Sequence, residues 1–105
     1  MFVKTGEDLL LDVKENVTMI PGSDFSWKLN CNSQTDRENI VRFSRGSEKL
    51  KTYWERAEFF VQNFSLLLKN VQKDDSGDYC AYYSTNQDIL LVKYEVTVQG
   101  EYVST

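Results

Sequence analysis

Short stretches in which apolar and polar residues alternate occupy most of this chain, and no segment repeats its apolar residues at the helical period. Breaks rich in glycine, serine, asparagine and aspartate separate these stretches. Short strands at such regular spacing are typical of an antiparallel sandwich or barrel, so the sequence predicts an all-β fold. The predicted strands are residues 8–13, 24–30, 39–44, 48–54, 57–61, 63–69, 78–85 and 90–98.

The composition fits a single domain. The chain has 105 residues, of which 41% are hydrophobic and 27% charged, and folding at this size buries about two-thirds of the unfolded surface. No apolar run approaches the roughly 20 residues of a membrane-spanning helix. A basic-then-apolar leader is also missing, so any targeting or anchoring segment is expected outside this sequence. Residues 1–99 are predicted to form the domain, and residues 100–105 a tail or the start of a linker.

Three properties argue against whole classes of function. The net charge of −4 gives no support for nucleic-acid binding. Histidine is absent, which removes Ser-His and Cys-His nucleophiles and histidine-containing zinc sites. The acidic segment 74–78 lacks the spacing of a calcium-binding loop. The chain is therefore expected not to be an enzyme and to need no metal or cofactor.

Residues 75–79 read D-S-G-D-Y and follow an alternating strand. This resembles the tyrosine corner of immunoglobulin sandwiches, in which the tyrosine begins strand F and its hydroxyl bonds to backbone just upstream. With Trp27 on an early strand and G-E-D-L-L-L at residues 6–11, the chain resembles a variable-type immunoglobulin domain over nearly its whole length. The resemblance implies a Greek-key β-sandwich and an ion pair between Arg56 and Asp75.

The cysteines do not fit the usual pattern of such domains. There the strand-F cysteine lies two residues after the corner tyrosine, a place that Ala81 occupies here, while Cys80 comes one residue early. Because successive side chains of a strand point to opposite faces, Cys80 is expected to point outward. On strand B the usual cysteine position falls on Val13. We therefore expect no inter-sheet disulfide between strands B and F, and free thiols at Cys31 and Cys80.

A competing alignment takes residues 21–31 as strand B and joins Cys31 to Cys80 as the core disulfide of a smaller, constant-like structural module. It leaves Phe43 where a core tryptophan belongs and residues 9–13 without a partner strand.

Three segments resemble the SLAM-type leukocyte receptors: G-E-D-L-L-L-D-V at 6–13, F-S-W-K at 25–28 and N-F-S-L-L-L-K-N-V-Q-K-D-D-S-G-D-Y at 63–79. More broadly, they resemble the family of the T-cell adhesion receptor whose membrane-distal domain lacks the core disulfide. The resemblance implies an extracellular, membrane-distal domain of a type I cell-surface protein. Such a domain binds itself or a related immunoglobulin-superfamily receptor on a facing cell through the exposed face of its G-F-C-C′-C″ sheet.

If this chain binds a partner in the same way, the contacts must be made by outward-pointing residues on the strands of the G-F-C-C′-C″ sheet. Alternation from an inward Trp27 and Tyr79 assigns them. Residues 24–56 carry 7 Lys/Arg and 5 Asp/Glu, a net +2, while the rest of the chain carries −6, which predicts a basic patch that steers an acidic partner. The residues expected to bind the partner are Lys28, Asn30, Arg42, Ser44, Arg45, Lys49, Lys51, Tyr82, Asn86, Gln87, Asp88, Lys93 and Glu95.

Two N-x-S/T sequons predict glycosylation, at Asn16 and at Asn63, both off the main binding face. A second function class is a sialic-acid-binding lectin of the same fold, which would need an outward arginine on strand F. The outward positions expected there are Asp78, Cys80 and Tyr82, so this alternative is disfavoured.

Overall fold

The computed structural model describes residues 1–100, so the predicted tail lies almost entirely outside the described residues. All eight predicted strands are present, together with one further strand, β1, that was not predicted. A short 3₁₀ helix at Lys73–Asp75 precedes β8. The strands are β1 (Phe2–Lys4), β2 (Leu9–Leu11), β3 (Asp24–Leu29), β4 (Glu38–Ser44), β5 (Lys49–Thr52), β6 (Ala57–Phe60), β7 (Ser65–Leu68), β8 (Gly77–Ser84) and β9 (Asp88–Gln99).

The strands form two sheets. Six strands lie in the order β1-β9-β8-β3-β4-β5, and three lie in the order β2-β7-β6. β1 pairs with β9 in parallel, and the other neighbours are antiparallel. The predicted all-β immunoglobulin-like sandwich is confirmed, with the large sheet built around the neighbours β3 and β8.

The core lies between the two sheets and takes mostly alternate residues from the strands, except that β5 contributes none. Trp27 is fully buried, and its indole N–H donates to the carbonyl of Phe64 at 2.9 Å. Phe64 has a φ of 63°, a left-handed conformation that is unusual for a bulky residue. Of the side chains predicted to point inward, Phe64 is half-buried and the others are buried: Leu9, Leu11, Val13, Trp27, Leu29, Val41, Phe43, Tyr79 and Ala81.

The predicted tyrosine corner and its ion pair are both present. The Tyr79 hydroxyl donates to the carbonyl of Asp75, and Arg56 forms two hydrogen bonds of 2.8 Å with the Asp75 carboxylate. Burial alone would raise the pKa of Asp75, but hydrogen bonds from Arg56 and the Gln72 backbone N–H outweigh it and hold that pKa below its ordinary value. Burial also raises the pKa of the Tyr79 hydroxyl. This corner locks the start of β8 onto the chain that leads into it.

Steric crowding explains why the tyrosine corner has glycine at position 77. Gly77 has a φ of 151°, and a Cβ there would lie 2.5 Å from the Asn30 amide oxygen and 2.9 Å from Leu29 Cδ1. Any other residue would be strained at this φ and would force the side chains of Asn30 and Leu29 to shift.

The expected free thiols are wrong, because Cys31 and Cys80 form a disulfide, with Cα atoms 6.1 Å apart. Alternation counted onward from Trp27 through Leu29 would place Cys31 on the inner side of the sheet, away from an outward Cys80. However, β3 ends at Leu29 and Asn30 has a φ of 55°, so alternation no longer applies and the chain turns toward β8. Cys80 lies on the outer side of the sheet, as alternation predicts, but it is 99% buried there.

The competing alignment paired the right two cysteines but is wrong about the position of the bond. It required a link between opposite sheets, whereas β3 and β8 are neighbours in one sheet. Val13 and Ala81 are both buried in the core, and Cys31 and Cys80 lie outside the core cluster.

Candidate functional site

One side of the six-stranded sheet faces away from the core, and we call this side of β9, β8, β3, β4 and β5 the outer face. Two rows of residues cross it in register from β9 to β5. The first row is Asp88, Ser84, Asp24, Ser44 and Lys49. The second row is Leu90, Tyr82, Ser26, Arg42 and Lys51. Each row spans four strand spacings, about 19 Å.

The structure brings the sequence-predicted partner-binding residues to this sheet or to the turns at its ends. Asn30 follows β3 at the end opposite the 85–87 turn, so the predicted set extends along the whole strand length rather than forming one cluster. The residues on strands are Lys28, Arg42, Ser44, Lys49, Lys51, Tyr82, Asp88, Lys93 and Glu95, and those in turns or at a strand end are Asn30, Arg45, Asn86 and Gln87.

The centre of the outer face holds a charge pair beside an open cleft. Arg42 donates to the Asp24 carboxylate at 2.6 Å, and this hydrogen bond lowers the pKa of Asp24. Lys28 lies over the Tyr82 ring, 5.3 Å from its centroid. The cleft has a volume of about 300 Å³ and reaches Asn39 and Thr85 on either side of these groups. Its lining of hydroxyls, an amide and paired charges suits polar side chains of a partner.

The β4–β5 edge of the outer face is basic. All four residues of β5 are exposed, including Lys49 and Lys51. The Lys51 ammonium lies 4.9 Å from the Tyr53 ring centroid. Arg45, in the turn that joins β4 to β5, is 3.5 Å from Glu48, so those two charges offset each other.

The β8–β9 edge is acidic. Asp88 is exposed and accepts a hydrogen bond from the Ser84 hydroxyl at 2.5 Å. Lys93 is the single cation of these two strands, and its ammonium lies 3.9 Å from both Asp78 and Glu95. Leu90, next to Tyr82 in the second row, is 51% exposed. The outer face therefore carries opposite charge at its two edges.

The disulfide lies on the outer side of this sheet, because Cys80 is in register with Lys28 on one neighbour and Lys93 on the other. Sequence reasoning offered the bond only in the competing alignment and missed the contributions of Asp24, Ser84 and Leu90. Alternation from Trp27 along β3 would have found Asp24. A register shift after Ala81 moves Leu90 opposite Tyr82, and no sequence signal marks that bulge.

Residues 1–100 were also searched for features of metal binding, membrane spanning and sialic-acid binding. No group of three or more histidine, cysteine, aspartate or glutamate side chains is arranged to hold a metal ion. No helix there is long and apolar enough to cross a membrane. Strand β8 contains no arginine, as expected from the sequence, so it lacks the group that a sialic-acid lectin of this fold would use.

The two sheets, the tyrosine corner and the polar outer face define an immunoglobulin-type sandwich domain. The sequence profile of the family described as natural killer cell receptor 2B4 matches residues 11–98, and the chain belongs to this family. The resemblance to SLAM-type receptors is thereby confirmed at the level of the family.

The human natural killer cell receptor 2B4 is 34% identical to the chain over 70 residues, covering 67% of the chain and 19% of the relative. The chain therefore spans about a fifth of the length of this curated relative.

Solved structures support the fold. The first immunoglobulin-like domain of human CD48 has a TM-score of 0.66 at 19% identity and covers 96% of this chain and 79% of its own. The extracellular domain of the voltage-gated sodium channel beta4 subunit has a TM-score of 0.73 at 17% identity, covering 97% and 91%. The CD2-binding domain of CD58 has a TM-score of 0.66 at 17% identity, covering 93% and 52%.

Proposed function

We propose that this chain is the membrane-distal domain of a leukocyte cell-surface receptor. In this proposal its outer face binds a related immunoglobulin domain on a facing cell. The observation that carries the proposal is the pair of registered rows, which gather ten side chains on one accessible face. Only Ser26 among them is buried, and none belongs to the core cluster. Membership of a receptor family supports an extracellular, cell-surface location.

We also assign the domain to the variable type. Strands β4 and β5 extend the sheet beyond β3, as the additional C′ and C″ strands do in variable-type domains. This extension supplies Arg42, Lys49 and Lys51, so the proposed binding face depends on it. An immunoglobulin-superfamily partner is supported by two similar structures, because one is described as the CD2-binding domain of CD58 and another as a parallel homodimer that explains cell-cell adhesion.

Charge reversal on the outer face tests the proposal. Lys49→Glu removes an exposed cation that forms no salt bridge among the described residues, so we expect weaker binding and an unchanged melting temperature. Arg42→Glu should weaken binding too, but it also places a carboxylate beside Asp24, so a small loss of stability is expected. Binding is measured by surface plasmon resonance against a panel of related leukocyte immunoglobulin domains.

The control is Lys69→Glu, directly after β7, which makes the same change of charge on the other sheet; because Lys69 lies 3.3 Å from Glu58, a small loss of stability is expected in this variant too. It should leave binding unchanged. Equal binding by wild type, Lys49→Glu and Arg42→Glu to a panel member would overturn the proposed surface.

We further propose N-linked glycosylation at Asn16 and Asn63. Both side chains are exposed and line one cleft of about 350 Å³ between the β2–β3 loop and the β6–β7 turn, away from the outer face. The Asn63 amide oxygen accepts hydrogen bonds from the backbone N–H and hydroxyl of Ser65, and neither bond uses the amide nitrogen that a glycan would join. Mass spectrometry after secretory expression should lose one glycan in Asn16→Gln and one in Asn63→Gln; unmodified wild type would contradict the assignment.

A further inference from the structure

Strand β5 is the last strand of the six-stranded sheet, so one of its edges has no neighbouring strand. Directly after β5, the backbone N–H of Tyr53 donates to the Ile40 carbonyl of β4 at 2.8 Å. The direction of backbone hydrogen bonding alternates along a strand, so Leu50 and Thr52 point their N–H and C=O groups away from β4. These backbone groups have no hydrogen-bond partner among the described residues, and β5 therefore offers a free strand edge.

An apolar cleft of about 500 Å³ opens beside this edge, between the β4–β5 turn and the β6–β7 turn. Leu50 is in register with the buried Phe43, so its side chain points to the inner side of the sheet. The three-stranded sheet ends at β6, and Leu50 remains 46% exposed. Val61 and Phe64 complete the apolar lining. The cleft has room for an apolar side chain of a segment that lies along β5.

The same edge is positively charged. Residues 42–52 carry four cations and one anion, a net +3. Lys49 and Lys51 alternate with Leu50, so their side chains lie on the outer side of β5 while Leu50 lies on the inner side. Neither lysine forms a salt bridge among the described residues. A strand paired with this edge would present every second side chain to the lysines and the intervening side chains to the cleft.

We propose that the free edge of β5 binds an extended, acidic segment of a partner protein by β-strand addition. The segment's backbone bonds to Leu50 and Thr52, its carboxylates lie beside Lys49 and Lys51, and an apolar side chain between them enters the cleft. This inference goes beyond the proposed function, because the backbone edge and the cleft are not part of the outer face.

The charge of β5 selects an acidic segment over a second copy of the strand. Pairing two β5 edges would set the lysines of one copy beside those of the other, and lysines on edge strands commonly oppose such pairing. A neutral apolar segment would fill the cleft but leave the cations uncompensated. An acidic segment with one apolar residue matches the edge, the charge and the cleft together.

The test uses a peptide of sequence E-S-E-L-E-S-E, blocked at both ends and titrated into the isotope-labelled domain. When the peptide is extended, its leucine and its glutamates point to opposite sides. We expect NMR shift changes at the amides of Leu50 and Thr52 and at the side chains of Val61 and Phe64, with a Kd of about 1 mM or tighter. Raising salt should weaken binding because the charges are exposed.

Two control peptides separate the contributions. E-S-L-E-E-S-E has the same composition but places the leucine on the same side as three of the four glutamates, so it should bind at least about fivefold more weakly. K-S-K-L-K-S-K keeps the pattern and reverses the charge, so it should not bind.

Variants of the domain locate the site. Leu50→Ser removes one wall of the cleft, and Thr52→Pro removes an edge N–H without removing a bond to β4. Each should weaken binding of E-S-E-L-E-S-E about fivefold or more, with thermal melts confirming that both variants fold. The matched control is Leu10→Ser, because Leu10 is similarly exposed, at 54%, but lies on β2 of the other sheet. It should leave peptide binding unchanged.

Four results would overturn the inference: no shift changes along β5, equal binding of the two glutamate peptides, binding of the lysine peptide, or unchanged binding by Leu50→Ser. Self-association that Leu50→Ser abolishes would assign the edge to a second copy and also overturn it. Leu50→Ser should leave binding through the outer face unchanged, so the proposed function is tested separately.

Discussion

The two faces of the six-stranded sheet are made from the same strands and yet differ in almost every physical respect. On β3, Phe25 and Trp27 point inward and are fully buried, while Asp24 and Lys28 point outward and remain partly exposed. The inner face holds the sandwich together through apolar burial and aromatic contacts such as that between Phe25 and Trp27, whose centroids are 6.4 Å apart. On the outer face, neighbouring strands are linked by side-chain contacts between charged groups and hydroxyls, such as Arg42 with Asp24 and Ser84 with Asp88.

The difference shows how one sheet can serve stability and recognition independently. Alternation assigns each function to every second residue, so a change at one position has little effect on the other face. The disulfide is the exception, because it lies on the outer side and constrains the fold. The following predictions test this division.

Trp27→Ala should give the largest effect. It removes the largest buried side chain and leaves the Phe64 carbonyl without its donor, so we expect a loss of about 4 kcal/mol in unfolding free energy by urea denaturation. The neighbouring Lys28→Ala is the control on the outer face and should change stability by less than about 0.5 kcal/mol. Similar losses in the two variants would show that the faces are not independent.

Replacing both cysteines by alanine should destabilise the domain by about 3 kcal/mol, because the disulfide closes a 49-residue separation and restricts the unfolded chain. The measurement is urea denaturation of the Cys31→Ala/Cys80→Ala variant beside oxidised and reduced wild type. Reduced wild type should match the variant. A thiol titration of unfolded, unreduced wild type should count no free thiols, and a count of two would refute the bond.

Asp75→Asn should cost about 2 kcal/mol at neutral pH, because it removes the carboxylate that Arg56 and Gln72 hold. The folded-state pKa of Asp75 lies below its ordinary value, so the carboxylate's contribution is complete above about pH 4 and is lost as pH falls through the folded pKa. The gap between wild type and variant in unfolding free energy should therefore narrow in acid. Asp74→Asn, on the same short helix, is the control. A gap that stays constant down to about pH 2 would contradict the ionic role.

Arg42→Met should have the smallest effect, about 0.5 kcal/mol, because its pair with Asp24 is 55% exposed on the arginine side and solvent screens it. The hydrogen bond from Arg42 lowers the pKa of Asp24, so this small contribution is present at neutral pH and disappears in acid. Thermal melts at about pH 7 and about pH 3 would measure it. Lys51→Met, which breaks no ion pair among the described residues, is the matched control, and a larger loss for Lys51→Met would contradict this ranking.

Sequence reasoning predicted the inner face more completely than the outer face. The buried positions of Val13, Trp27 and Ala81 followed from alternation, and the ion pair between Arg56 and Asp75 followed from the family resemblance. On the outer face, the predicted residues lie on the expected strands, but their arrangement into rows depends on strand registers and on two bulges. These are long-range properties that a period of two residues does not encode.

The sequence by itself determined the all-β class, the strands that carry alternation and the tyrosine corner, because these depend on neighbours along the chain. Only the tertiary structure decided that Cys31 meets Cys80 and that the cations and anions of the outer face separate to opposite edges. The physical reason is that strands become neighbours only when the sheet forms. For the disulfide, β3 and β8 must pair, and the turn at Asn30 ends the alternation on which the sequence argument relied.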